Sequence, residues 1–208
     1  MKLYTYPPSS NAMRATVVAN QLSFEVERIT IDLAKGEQNS EAFAKVNPNR
    51  KVPTLVDGDF VLWESHVIMM YLAEKDPDCG LIPSDTQERY KIQQWLAWNL
   101  SHLAPQVSTM LFERFLKPKF GMGETDEVVV AKVENQFHSF AKILNSHLRG
   151  RDSIVGSTLT VADHAVGADF IYAKQSLLPM DDYKEIQRWW DNIAQMEAWK
   201  KTLASSFQ

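Results

Sequence analysis

Three short runs of side chains in this sequence have the types and spacing to do chemistry. The first is Ser9-Ser10-Asn11, three helix-capping residues in a row between the Pro7-Pro8 turn and the start of a helical pattern. A helix N-terminus carries partial positive charge and unsatisfied N–H groups, so an anion is stabilised there. One side chain is enough to cap a helix, and is worth ~1 kcal/mol. Three leave a hydroxyl over to donate a hydrogen bond to a bound thiolate. A free thiol has a pKa of about 8.5, and lowering it by about two units takes ~2.7 kcal/mol. One hydrogen bond to a charged group supplies ~1.5–3 kcal/mol, and the helix end adds ~0.3–1 kcal/mol. The sum suffices without a metal or a general base: a serine here acts as a donor to the anion.

The second run is Lys51-Val52-Pro53-Thr54. A proline at the entry to a strand starts an edge strand or holds a cis bond, and general frequencies favour trans by about nineteen to one. A cis bond turns the Val52 amide and carbonyl out of the sheet, where a peptide-like ligand can pair with them. The third run is Trp63-Glu64-Ser65. Singly, Glu64 or Ser65 reads as a helix cap. As a seat, the Ser65 hydroxyl and amide hold a carboxylate while Glu64 holds an ammonium. Together the three runs supply a thiolate donor, a backbone pairing edge and an amino-acid seat, which fits a γ-glutamyl peptide thiol.

Alternating short strands and helices must position these residues. Strand patterns cover residues 3–6 and 24–31, and a hairpin with an Asp57-Gly58 turn signal joins 53–56 to 60–63. Helical patterns cover 12–21, 40–46 and 64–75. Pro77, Gly80 and Pro83 mark a linker. From about Thr86 the pattern is helical throughout. Val130, Val133, Phe137, Phe140, Leu144 and Leu148 form one amphipathic stripe, and Thr160-Val-Ala-Asp163 is a capping box. Trp189, Trp190, Ile193 and Met196 read as a late helix. The predicted organisation is an α/β domain over residues 1–76, a linker over 77–85 and an all-α domain over 86–208.

Composition excludes several classes. The chain has 208 residues, 45% hydrophobic and 23% charged, with a net charge of −4 and mixed signs; this disfavours a nucleic-acid binder. The longest apolar run, residues 67–73, is too short to span a bilayer. No apolar signal-peptide core opens the chain, and the one cysteine, Cys79, allows no internal disulfide or CxxC pair, so a cytoplasmic location is expected. Five histidines and one cysteine show no ligand spacing, so no metal is expected. GxGxxG, P-loop and GxSxG patterns are absent. Asn99-Leu-Ser101 has the form of a glycosylation sequon but lies in a helical pattern, and reads as chance.

The chain resembles the cytosolic glutathione transferases over essentially its full length. The resemblance rests on Ser9-Ser-Asn11 with Arg14, Asn47-Pro48 with Val52-Pro53-Thr-Leu55, Leu62-Trp-Glu64-Ser65 with Ile68 and Tyr71-Leu72, and Gly156 with Thr160-Val-Ala-Asp163. It implies a thioredoxin-like N-terminal domain, an all-α C-terminal domain, a homodimer, glutathione as co-substrate and a cis bond at Pro53. Serine in the activating place is similar to phi, theta and bacterial members. Ser9 matches their S-x-N pattern, with Asn11 as a thiol neighbour. Ser10 is the rival, because theta and delta members place the serine four residues before the arginine. Carried over likewise, Gln38, Lys51, Val52 and Pro53 line the peptide, and Glu64 and Ser65 its γ-glutamyl end. The chain departs from many relatives in having Arg50-Lys51 where they have Gly-Gln, and from phi members in having Gln38-Asn39 where they have His-Lys. The departures imply weaker glutathione binding or rearranged salt contacts, with a cation at Lys51 set to face the glycyl carboxylate.

The expected activity is attack of the thiolate on a hydrophobic electrophile. Its pocket is expected between the domains, with Trp95, Trp98, Asn99, His102, Met110 and Phe112 as wall candidates; adaptable apolar side chains suit such acceptors. The alternatives are glutathione-dependent reduction of peroxides or disulfides, and a non-catalytic binding module. The intact Ser9, Val52-Pro53 and Glu64-Ser65 set weighs against the last.

Overall fold

The computed structural model describes residues 1–205. They divide by contacts into a first unit, Met1–Ile82 with the C-terminal helix, and a second, Pro83–Ala194. In the first, β1 (Lys2–Thr5) leads to α1 (Ser10–Ala19), and β2 (Glu27–Thr30) to a 3-10 turn at Glu37–Asn39 and α2 (Glu41–Val46). β3 (Thr54–Asp57), β4 (Phe60–Trp63) and α3 (Ser65–Lys75) follow. The sheet order is β2-β1-β3-β4; β1 and β2 are parallel, and the other two pairs are antiparallel. The hairpin turns where the sequence signalled it, with Gly58 at φ 62°. β2 is shorter than its pattern because only Glu27–Thr30 finds a partner in β1. Leu3 and Leu55, facing each other across β1 and β3, are fully buried, as are Val17, Ile68 and Leu72 of the adjacent helices.

The register decides where the functional runs lie. Tyr4 faces Thr54, and Thr54 faces Trp63. The chain leaving β1, the chain entering β3 and the chain leaving β4 therefore emerge at one end of the sheet. Those are the segments carrying Ser9, Val52-Pro53 and Glu64-Ser65.

In the second unit, α4 (Thr86–Trp98), α5 (Ala104–Leu111) and α6 (Lys117–Lys119) form one helical run with two π-turns, Asn99–Leu103 and Phe112–Leu116. Pro105 and Pro118 stand just after them. A proline has no N–H for the carbonyl four residues back and its ring collides with it. The run widens there, with Ala104 N–H reaching Asn99 O and Lys117 N–H reaching Phe112 O. Asn99, of the apparent sequon, is fully buried and donates to Asp169. α7 (Glu127–His147) buries Val130, Val133, Phe137, Ala141 and Leu144. Ala141, four residues beyond Phe137, holds the buried line where the predicted stripe had Phe140. α8 (Val161–Gly167) and α9 (Lys184–Ala194) complete the unit.

The predicted late helix is two helices. Met196 is extended and precedes α10 (Glu197–Ala204). α10 belongs to the first unit, where Asn20 Nδ2 donates to Thr202 Oγ1 at 2.9 Å and to the Ala198 carbonyl at 3.4 Å. This contact explains why α1 is buried from Ala12 to Ala19: α3 and α10 both pack on it. No described helix is long and apolar enough to cross a membrane.

Candidate functional site

Ser9 is the N-cap of α1, in extended conformation, and its Oγ accepts the Ala12 N–H at 3.4 Å. That bond is long, and the hydroxyl proton has no acceptor among the described residues. Ser10 opens the helix, half-buried. Asn11 is exposed and its Oδ1 accepts from the buried Arg14 guanidinium, which fixes the amide beside the cap. Ala12 packs with Ile31, Phe43 and Val52 in one apolar cluster, edged by Tyr4 and Tyr6. Cap and Val52 are thereby held to the same small core.

The Val52–Pro53 bond is cis. Asn47, which the motif reading left without a role, is the strut behind it. This fully buried amide donates to the Lys51 carbonyl and to Thr54 Oγ1, each at 2.8 Å, and accepts the Asn49 N–H at 2.9 Å. Its signal in the sequence was an Asn-Pro-Asn turn, a setting where Asn bonds its own backbone two residues on. Lys51 is exposed.

Glu64 is exposed and caps α3 at φ 75°. Ser65 behind it is buried, its Oγ 3.4 Å from His66 Nδ1. Three non-glycine residues have left-handed φ among those described: Arg50, Glu64 and Leu177. Two of them flank the candidate site. Such a conformation costs about 1–2 kcal/mol per residue with a Cβ, and strain of this kind clusters at functional positions. Gln38 lies in the 3-10 turn, and its Oε1 is buried with no hydrogen-bond partner among the described residues. An amide acceptor left open costs free energy unless a ligand or water completes it.

The electrostatics of the helix ends point the same way. The first turns of α1 and α3 carry no acid. Those of α2, α4, α7, α8, α9 and α10 each carry one; α5 and α6 also carry none, but they continue a helical run and have no free N-terminus. The positive ends of α1 and α3 are thus left uncompensated within their first turns, where an anion gains ~0.3–1 kcal/mol or more. Glu64 alone adds negative charge, one residue ahead of α3, where the sequence reading seats an ammonium. Among the described residues no group of three or more His, Cys, Asp or Glu is placed to hold a metal.

The acceptor-wall candidates separate. Trp95 and Trp98, 4.9 Å apart edge to face, line a cleft of about 570 Å³ in the second unit with Ile143 and His147. His102 is exposed and stacks on Phe140 at 5.0 Å. Phe112 opens the second π-turn and is 40% exposed. Asn99 and Met110 are fully enclosed; Asn99 bonds Asp169, and Met110 packs the helical core. Cys79 ends a 3-10 turn, and burial pushes its thiol pKa up.

Known proteins match this chain throughout. Family models described as glutathione S-transferase, N-terminal domain, and glutathione S-transferase, C-terminal domain, match residues 1–74 and 103–197. The chain is 32% identical to glutathione S-transferase D7 of Drosophila melanogaster, covering 99% of this chain and 89% of that one. It is also 32% identical to glutathione S-transferase 3 of Zea mays, covering 99% and 94%. The solved structure of glutathione S-transferase III in apo form is similar with a TM-score of 0.87 at 30% identity, covering 100% of this chain and 97% of that one. Glutathione transferase F2 of Populus trichocarpa gives 0.89 at 25%, covering 99% and 98%.

Proposed function

The chain belongs to the glutathione S-transferase family, and on that premise we propose that Ser9 holds the glutathione thiolate for attack on hydrophobic electrophiles. One observation carries the assignment. The Ser9 oxygen accepts a backbone N–H at the mouth of α1, while its own proton is left to donate. Accepting that N–H polarises the hydroxyl and strengthens it as a donor. The acid-free first turn of α1 adds to the field on the sulfur.

The thiol proton passes to solvent. The sulfur then forms a bond to an electrophilic carbon, and a leaving group departs with its electron pair, or a solvent proton completes an addition. The Val52 N–H and carbonyl pair with the cysteinyl residue, Pro53 keeps them turned toward it, and Gln38 and Lys51 line the rest of the peptide. Ser65 and the N–H end of α3 take the γ-glutamyl carboxylate, and Glu64 its ammonium. Trp98, His102 and Phe112, each at least partly exposed, are the wall residues assigned to the acceptor.

The test is Ser9→Ala with an aryl halide, run beside a peroxide assay. The pKa of bound glutathione is expected to rise by about one unit or more, and turnover measured about one unit below the wild-type pKa to fall about ten-fold, since each unit is a ten-fold change in the ionisation constant. Glutathione affinity is expected to change little. The same result from Ser10→Ala and not from Ser9→Ala would move the role one residue on. A larger rate with peroxide than with any electrophile would favour reduction over transfer.

We assign the exposed face of β4 and α3 to a second copy of the chain. β4 is a sheet edge with Phe60, Val61 and Trp63 exposed, and Val67 of α3 is exposed beside it. Val67→Glu is expected to shift the protein to monomer in sedimentation; an unchanged mass would remove the assignment.

A further inference from the structure

The cleft between α4 and the end of α7 holds charged groups that the second unit leaves unanswered. Ring contacts show the two helices running antiparallel: Trp95 meets His147 at 4.6 Å, while Trp98, further along α4, meets Phe140, earlier in α7, at 6.3 Å. Glu88, Lys91, Trp95 and Trp98 recur at the spacing of one helix face, and all four line the cleft. The antiparallel pairing sets Ile143 toward the Trp98 end and Arg151 toward the Glu88 end. The cleft thus grades from an aromatic end to a charged one over about 15 Å of helix. His147 donates from Nε2 to the Ile154 carbonyl at 2.7 Å, which holds its ring against Trp95. At the charged end, Lys91 Nζ donates to Gln94 Oε1 at 3.2 Å and makes no ion pair among the described residues. The Arg151 guanidinium and the Glu88 carboxylate have neither a hydrogen bond nor an ion pair among them. Both cations are exposed; Glu88 is half-buried against Gly156, where a Cβ would stand 3.0 Å from its Oε1.

We propose that this cleft binds an aromatic monoanion, its ring against Trp95, Trp98 and Ile143 and its carboxylate on Arg151 and Lys91. The site lies wholly in the second unit and goes beyond the thiol chemistry proposed above; of the three residues assigned to the acceptor wall, only Trp98 lines it. Its volume, about 570 Å³, is that of a small-molecule pocket. Two cations against one carboxylate leave one positive charge over. A neutral ring leaves that charge unpaired, and a dianion brings its second charge to Glu88. Tryptophan edges and faces suit a flat ring, and a guanidinium presents a planar fork that matches a carboxylate.

The test titrates naphthoate and its neutral counterpart naphthamide into the protein by calorimetry, with S-hexylglutathione at saturation to fill the thiol and acceptor sites. Wild-type protein is expected to bind naphthoate about ten-fold more tightly than naphthamide, as one charge-assisted hydrogen bond implies. Arg151→Gln, at an exposed position, is expected to remove that preference and leave kcat and the KM for glutathione unchanged; Lys91→Gln removes part of it. Glu88→Gln is expected to admit naphthalene dicarboxylate, which the wild type rejects. Displacement of naphthoate by S-hexylglutathione, or a preference that survives both Arg151→Gln and Lys91→Gln, overturns the assignment. So does the absence of binding in wild type; binding that then appears in Val67→Glu would give the cleft to a second copy of the chain instead.

Discussion

The N-termini of α1 and α8 are built from the same kind of cap and finished in opposite ways. At α8 the capping side chains are fully engaged. Thr160 Oγ1 accepts the Ala162 N–H at 3.3 Å, and Asp163 Oδ2 accepts the Thr160 N–H at 2.8 Å. Asp163 Oδ1 takes the Ile154 N–H at 2.7 Å and the Trp189 indole at 3.1 Å. Burial pushes the Asp163 pKa up and these hydrogen bonds pull it back. At α1 the cap makes one long bond, the first turn has no acid, and a hydroxyl proton is unused. A closed cap stabilises the fold; an open one keeps its field and its donor for a ligand. The same capping residue types thus read as structure or as site according to what surrounds them.

The contrast breaks most sharply at Asp163. Asp163→Ala strands two backbone N–H groups and an indole in the core, and is expected to cost about 3–5 kcal/mol in denaturant unfolding. If Ser9→Ala costs as much, the two caps are alike after all. The next effect is one of pH. His164, beside Asp163, is fully buried, and burial pushes its pKa down to about 4. Above about pH 6.5 both folded and unfolded chains hold it neutral. As pH falls from there toward 4, only the unfolded chain takes the proton, so stability declines by about 3 kcal/mol in all and then levels. Thermal scans over that range are expected to slope for wild type and flatten in His164→Gln. Smaller still is the stability cost of Ser9→Ala, about 1 kcal/mol or less, against its ten-fold loss of turnover. Thr160→Ala is expected to show the reverse: about 1–2 kcal/mol of stability lost and kcat unmoved.

How much was legible depends on how far a signal reaches along the chain. The capping box at Thr160 and the Asp57-Gly58 turn each lie within a few residues of their cause, and each appears where the pattern put it; of the three capping residues before α1 it is Ser9 that caps, with the helix opening two residues earlier than its apolar pattern, and the α7 stripe holds at every predicted position but one. Phe140 and Met196 were misread because local apolarity does not say which side of a helix is covered, or where it breaks. The π-turns before Pro105 and Pro118 follow from proline chemistry that a periodicity reading passes over.

The sequence alone determined the local order of strand, cap and helix, the two-part division into mixed and helical segments, and the residue types offered to a thiol peptide. Tertiary structure decided what no local rule reaches. Sheet register brought the segments carrying residues 9, 52 and 64 to one end of the sheet. A contact across 182 positions returned α10 to the first unit. Packing held Arg50 and Glu64 in backbone conformations their own side chains disfavour. The physical reason is common to all three: hydrogen-bond capping and periodicity act within a few residues, whereas pairing, burial and tolerated strain depend on what the rest of the chain places opposite.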